Sequence, residues 1–363
     1  MHSLPISSND AQVNRATDRV GPPETVAELS SLEWFLRPLR PWLNHPDITE
    51  ICINRPNEAY IETSKGWEYC SFPFADFAWC LRLAKLVANY TAQRIAEDSP
   101  VLSASLPTGA RLQVVIPPAT KTGCVAITIR RPSAQIWSID ELASKGALRL
   151  AKRAGHGLDS TEVELQQLLE ARDYLAFLRL AVRSRKNIVV SGPTGSGKTT
   201  WTKALIREIP THERLITIED AHELTLSQHP NHVQLFYSKD DNGLARITPQ
   251  QLLESCLRMR PDRVLLAELR GAEAFEFLRN VNSGHPGSIT SVHAASAELA
   301  FEQLMLLIKH APGGQELARE DILSLLYVLV DIVIQFEVQA HERLVREIWY
   351  EPERKHRALA NRS

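Results

Sequence analysis

Gly192, Pro193, Thr194, Gly195, Ser196, Gly197, Lys198, Thr199 and Thr200 spell the pattern G-x-x-x-x-G-K-[ST], and the apolar run Asn187 to Ser191 stands directly before it. The pattern has a structural requirement. A strand must end where the glycines begin, and a helix must start near the lysine. The stretch from Lys198 to Glu208 is helix-forming and meets the second condition. Glycines at 192, 195 and 197 let the backbone curl with its N–H groups pointing inward, where phosphate oxygens sit. The helix start adds the positive end of its dipole. In such a loop Lys198 reaches the β- and γ-phosphates and Thr199 holds Mg²⁺. The motif therefore implies a strand–loop–helix unit that binds ATP or GTP.

From Lys186 onward, strand candidates alternate with helical stretches: Asn187 to Ser191, Leu215 to Glu219, Val233 to Phe236, Val264 to Glu268 and Ser288 to Val292. Alternation of this kind predicts βαβ units and a mainly parallel sheet. Ile332 to Val338 and Leu344 to Glu351 flank Ala340 to Arg343 and read as a terminal hairpin. The most apolar run, Ile322 to Val330, is too short to span a membrane and is followed by Asp331. It reads as a buried helix leading into a strand.

The first half has a different rhythm. Leu29 to Leu43 shows helical apolar spacing, interrupted by Pro38 and Pro41. Strands are expected at Ile48 to Asn54, Ala59 to Thr63, Trp67 to Phe72, Arg111 to Ile116 and Cys124 to Arg130, with a helix from Phe77 to Gln93. The fold class read from this pattern is α/β. A C-terminal RecA-like nucleotide-binding domain (186–351) follows a smaller α+β N-terminal domain (26–131). Residues 132–185 are read as a linker containing a helix, Thr161 to Arg183, interrupted earlier by Lys152 to Gly157. Residues 1–25 are read as a mobile tail and 352–363 as a second tail. The 363 residues accommodate two domains at about 150 residues each.

The formal charge is −2, so direct nucleic-acid binding is not indicated. The five cysteines form no C-x-x-C pair, which favours buried thiols over disulfides or a zinc site. No signal peptide is read at the N-terminus.

Three further segments carry chemistry. Arg263 to Arg270 is an apolar strand candidate ending in Glu268, the carboxylate a nucleotide motor needs to order Mg²⁺-bound water or orient the attacking water. Leu215 to Leu224 ends in Glu219, Asp220 and Glu223, with Glu223 or Glu219 favoured over Asp220 for polarising water or holding metal. Ser283 to Ala294 places His285 and His293 at the two ends of a short strand, with His293 positioned to sense a γ-phosphate.

These segments, in this order, resemble the secretion ATPases: the phosphate loop, the Asp box at Ile218 to Asp220, the acidic strand after Ser255 to Asp262, and the His box at Ser283 to Ala294. Pro46 to Asn54 and Leu106 to Pro117 resemble the VirB-eleven class of traffic ATPases of bacterial type IV secretion and conjugation systems. The resemblance runs from about residue 26 to 350. It implies a homo-hexamer using ATP and Mg²⁺ to power translocation or pilus biogenesis. It implies a cytoplasmic position peripheral to the inner membrane, beside other components of the secretion channel. It also implies a nucleotide between the two domains, with N-terminal arginines on the γ-phosphate. Arg111 and Arg130 match those positions, and Arg131 is an alternative to Arg130. The long connection from Pro132 to Arg185 leaves open whether the N-terminal domain covers its own core or a neighbour's. Pilus-retraction and type II secretion motors are the second reading, although the latter usually carry a C-x-x-C module and Cys256 is the last cysteine here. A nucleotide-gated scaffold without turnover is the rival from another class. The acids, Lys198 and His293 weigh against it.

Overall fold

A computed structural model describes residues 30–132, 136–152, 157–238 and 243–360. The expected tail at 1–25 and part of the interruption at 152–157 lie outside the described residues.

The leading apolar stretch is broken at its prolines, as their missing N–H groups require. It forms α1 (Ser31–Phe35), a 3-10 turn (Arg37–Leu39) and α2 (Arg40–Leu43). Ser30 and Glu33 close a capping box at the start of α1. There follow β1 (Glu50–Ile53), β2 (Glu58–Thr63), β3 (Gly66–Ser71), α3 (Phe77–Tyr90), β4 (Val101–Ser105), β5 (Arg111–Val115) and β6 (Ala126–Arg130). The strands build one antiparallel sheet in the order β3-β2-β1-β6-β5-β4. Strand β4 is absent from the sequence reading because Ser103 and Ser105 dilute its apolar signal. Its pairing with β5 supplies what the side chains do not. Helix α3 packs Cys80, Leu83, Ala84 and Val87 into this unit's core.

The connection carries α4 (Ile139–Ser144), which buries none of its residues. The expected single helix from Thr161 to Arg183 is two: α5 (Ser160–Glu170) and α6 (Tyr174–Arg183). Arg172 adopts a left-handed φ of 58° between them, and Asp173 caps α6 by accepting from Ala176 N. A residue in that conformation cannot continue a right-handed helix.

The remainder comprises β7 (Ile188–Ser191), α7 (Lys198–Ile206), β8 (Leu215–Glu219), β9 (His232–Phe236), α8 (Pro249–Cys256), β10 (Arg263–Leu266), α9 (Glu273–Asn282), β11 (Ile289–Val292), α10 (Ala297–His310), α11 (Arg319–Leu329), β12 (Ile332–Gln339), β13 (Glu342–Trp349) and α12 (Pro352–Ala360). Strands β7, β8, β10 and β11 are buried along their whole length, as expected of a parallel sheet covered by helices. Two ladders form, β10-β8-β9 and β11-β7-β12-β13, parallel except for the antiparallel pair β12–β13. Between β10 and β11, where no ladder forms, Leu269 N donates to Ser291 O (2.8 Å) and two hydroxyls add to the link. Ser288 Oγ donates to Val264 O (2.8 Å) and Ser291 Oγ to Ala267 O (2.9 Å). The apolar run at 322–330 lies in α11 and leads into β12 as read. No helix among the described residues is long and apolar enough to cross a membrane.

The segment read as a C-terminal tail is α12 over residues 352–360. It is tied down by Lys355 Nζ on Asp331 (2.7 Å) and His356 Nε2 on Glu162 (2.8 Å). The pattern hides this because most of the helix is polar and only Pro352 is buried.

The antiparallel sheet unit sits on the β9 side of the parallel one. Phe236 N donates to Ala119 O (2.9 Å), and Asn54 Nδ2 donates to Asn231 Oδ1 (3.0 Å). Val115, Ala119 and Ala126 join the apolar core built by α8, α9 and α10.

Candidate nucleotide site

Strand β7 ends at Ser191, the loop follows, and α7 begins at Lys198, as the motif requires. Gly192 passes so close to β12 that a Cβ there would lie 2.9 Å from Phe336 Cβ and 2.8 Å from Ser196 Oγ. Gly197 occupies the N-cap of α7 with a left-handed φ of 87°, and no side chain caps the helix. Its first N–H groups are therefore open to an anion. Ser196 Oγ is buried beneath the loop with no partner. Thr199 and Thr200 are exposed on the first turn, while Pro193, Thr194 and Gly195 form the exposed lip.

Lys198 folds back over its own loop. Its Nζ donates to Gly192 O (2.8 Å) and Pro193 O (3.0 Å), and toward His293 Nδ1 (3.3 Å). The last contact requires Nδ1 to carry no proton. Burial and, to a smaller degree, Arg270 lower the Lys198 pKa, and Glu268 opposes them. On the far side of the ring, His293 Nε2 lies 2.6 Å from Glu268 Oε1. That oxygen nevertheless lacks an aligned hydrogen bond. The close approach is a polar contact out of hydrogen-bond alignment, with the carboxylate oxygen still available to another donor. Lys198, His293 and Glu268 thus form a line from the phosphate loop to the end of β10. They come from neighbouring strands because β11 and β7 pair in parallel, with Val292 opposite Ser191.

Arg270 is the residue the sequence reading missed. Its guanidinium pairs with Glu268 and lies 3.6 Å from Asp220. The hydrogen bond to Glu268, together with Asp220 and Glu223, raises its pKa. The only local signal was its place two residues after Glu268.

Glu219 is fully buried and turned inward. It accepts from Thr217 Oγ1 (2.6 Å), Gln234 Nε2 (3.1 Å), Glu223 N (2.9 Å) and Leu224 N (2.8 Å). A carboxylate this occupied shapes the 220–224 loop. Glu223 is half-buried in that loop, as Asp220 is, and both contribute to the field at Arg270.

Arg111 and Arg130 do not line this site within the chain. They face a separate cavity of about 1090 Å³, shared with Glu50, Glu62, Arg131 and Arg260. Arg131 is committed elsewhere in that cavity. Its Nη1 donates to the carbonyls of His45 and Ile48, the latter at 2.9 Å. Arg130 has a side chain 65% exposed and, among the described residues, its ion-pair partner is Glu50, at 3.4 Å. Nearer the phosphate loop, the stem of Arg343 on β13 lies over Gly197, with Cδ 3.3 Å from where a Cβ would stand.

Residues 36–347 match the family model described as type II/IV secretion system protein. A type IV secretion system protein VirB11 of Brucella suis is 45% identical over 354 residues, covering 96% of this chain and 98% of that one. A type IV secretion system protein PtlH homolog of Bordetella bronchiseptica is 41% identical over 328 residues, covering 88% and 95%. Among solved structures, that of the VirB11 ATPase from the Brucella suis type IV secretion system in complex with sulphate superposes with a TM-score of 0.85 at 46% identity. It covers 90% of this chain and all of that one. With its phosphate loop, acidic strand end and histidine assembled in one place, the chain belongs to the type II/IV secretion system protein family, and within it to the VirB11 type IV secretion proteins.

Proposed function

We propose that this protein hydrolyses ATP with Mg²⁺ and uses the energy to drive substrate translocation or pilus biogenesis in a type IV secretion system. The observation that carries the reading is the line Lys198–His293–Glu268 at the mouth of the phosphate loop.

The residues present fit a nucleotide. The helix start is uncapped, Ser196 Oγ has no hydrogen-bond partner among the described residues, and Lys198 is held by weak carbonyl acceptors that a phosphate would outcompete. When bound, Mg²⁺–ATP supplies the phosphoanhydride that is cleaved. Lys198 leaves the carbonyls of Gly192 and Pro193 for the phosphate oxygens. Thr199, with Glu268, would hold the metal or its water. Glu268 and Glu223 orient the attacking water. His293, released from Lys198, turns toward the γ-phosphate. Glu219 supports the loop carrying Glu223, and Arg270 holds Glu268 in place.

The arginines act across a subunit boundary in this reading. Arg111 and Arg130 are separated from their own phosphate loop, so in a homo-hexamer they complete a neighbour's site, where arginine fingers are worth about 10³ to 10⁵ in rate. The ring would sit at the cytoplasmic face of the inner membrane against other secretion-channel components.

The test is steady-state ATP hydrolysis by the purified protein, with its mass measured with and without nucleotide. Hydrolysis that depends on Lys198 and on assembly supports the reading. A strict monomer that binds ATP without turning it over would return the protein to the scaffold class.

A further inference from the structure

Strand order places four charged residues in one row across the antiparallel sheet. Arg111 on β5 is directly opposite Arg130 on β6, Arg130 opposite Glu50 on β1, and Glu50 opposite Glu62 on β2. Directly opposed residues share a face, and all four line the same cavity. Like charges side by side destabilise a sheet, and this row has two such pairs. The acidic end is relieved by Arg260, which pairs with Glu62 through Nε (3.1 Å) and Nη2 (2.5 Å). The basic end is held more loosely: among the described residues Arg130 pairs with Glu50, at 3.4 Å.

Glu50 is the anomaly in the row. It is buried, and its Oε2 has no partner. An ionised carboxylate with one oxygen unpaired is costly to bury, and the cost grows if Arg130 leaves.

We propose that Glu50 is a positioning residue for Arg130: its carboxylate holds the guanidinium against the cavity wall and releases it to an incoming phosphoryl group. The inference rests on the reading of Arg130 as a phosphate contact. With no phosphate in reach, Arg130 stays beside Glu50. A triphosphate presented to the cavity draws the guanidinium away, leaving Glu50 buried without its cation, so it takes up a proton. Nucleotide binding to the arginine-completed site and protonation of Glu50 are therefore linked.

The groups facing Glu50 set the pH range. Burial is the largest influence and pushes its pKa up to about 7. Arg130, Arg260 and Arg214 pull it down, and Glu62 pushes it up. As pH rises through that value Glu50 ionises, competes for Arg130 and weakens nucleotide binding.

The experiment uses the full-length assembled protein, a non-hydrolysable ATP analogue and Mg²⁺. Titration calorimetry at pH 7 in two buffers of different ionisation enthalpy counts the protons exchanged. The wild type should take up a substantial fraction of ~one proton per site more than Glu50→Gln. Glu50→Gln, nearly the same shape, should bind the analogue about two- to fivefold more tightly at pH 8. Its affinity should vary less between pH 6 and 8. Adding Arg130→Ala to both wild type and Glu50→Gln should abolish the difference between them. Equal proton counts and equal affinities in wild type and Glu50→Gln, with Arg130→Ala still weakening binding, would overturn the role of Glu50 alone. An Arg130→Ala protein that binds and hydrolyses like wild type would overturn the underlying reading of Arg130 as well. If Glu50→Gln melts at a lower temperature, Glu50→Ala with the same proton count separates packing from charge.

Discussion

The amine of Lys198 sits 3.3 Å from Nδ1 of His293, and the opposite nitrogen of that ring sits 2.6 Å from Glu268. The phosphate-loop lysine and the strand-end acid are thus joined through one imidazole. A shift of Lys198 toward a phosphate would end its contact with His293 and leave the ring beside Glu268. Lys198→Ala should therefore abolish hydrolysis, lowering kcat by about a hundredfold or more, while the mass of the assembly and the melting temperature stay near wild type. His293→Ala should also lower kcat, with a smaller effect on nucleotide affinity. Hydrolysis by Lys198→Ala at a rate near wild type would sink the site assignment.

Glu268→Gln preserves shape and removes charge. The expected result is retained ATP binding with a specific loss of turnover. Calorimetric binding and steady-state hydrolysis separate the two. If binding is lost along with turnover, Glu268 is supporting the strand end and the chemistry lies elsewhere.

Glu219 and Glu223 are close in sequence and opposite in role. Glu219 accepts from four donors inside the protein. Glu219→Ala strands those donors and should cost roughly 3–5 kcal/mol in urea unfolding. Glu223→Ala should leave stability within about 0.5 kcal/mol, as for a partly exposed side chain, and lower kcat instead. A stable but inactive Glu219→Ala protein would show that its carboxylate acts directly on the reaction.

Arg111 and Arg130 belong to a different cavity from their own Lys198. Lys198→Ala and Arg130→Ala proteins, each poorly active alone, should regain part of the activity when mixed and reassembled. A wild-type loop then meets a wild-type arginine across the interface. Mixtures no more active than the two parents would place the arginines on their own chain's nucleotide, or off the site entirely.

Glu162 on α5 carries an acid-sensitive contribution to stability. Burial pushes its pKa up, but His356, the backbone of Asp159 and Lys186 outweigh this and hold it at about 2, against an ordinary 4.5. The contribution is complete above the ordinary value and is lost as pH falls toward 2. Urea midpoints of wild type and Glu162→Gln should differ at pH 7 and converge as pH drops below about 4. A constant difference across that range would show that the carboxylate's charge is not what the network uses.

The strand–loop–helix at 188–206, the alternation that follows it and the terminal hairpin were legible in the sequence because each depends on short-range order: glycine position, apolar run length and turn residues. Lys198 was singled out by the glycine loop and the helix start, Glu268 and His293 by following apolar strands, and the fold brings these three side chains together. Tertiary structure decided the rest. The residues of the charged row, 50, 62, 111 and 130, are brought together by the strand order β2-β1-β6-β5, and pairing between distant strands leaves no periodic mark in either one. Burial separated Glu219 from Glu223, since only the packed loop shows which carboxylate faces inward. Carbonyls at 45 and 48 took Arg131 and left Arg130 facing the cavity. Helix α12 was hidden because its docking rests on polar contacts with Asp331 and Glu162, partners that become neighbours only after the core around β7 and β12 has formed.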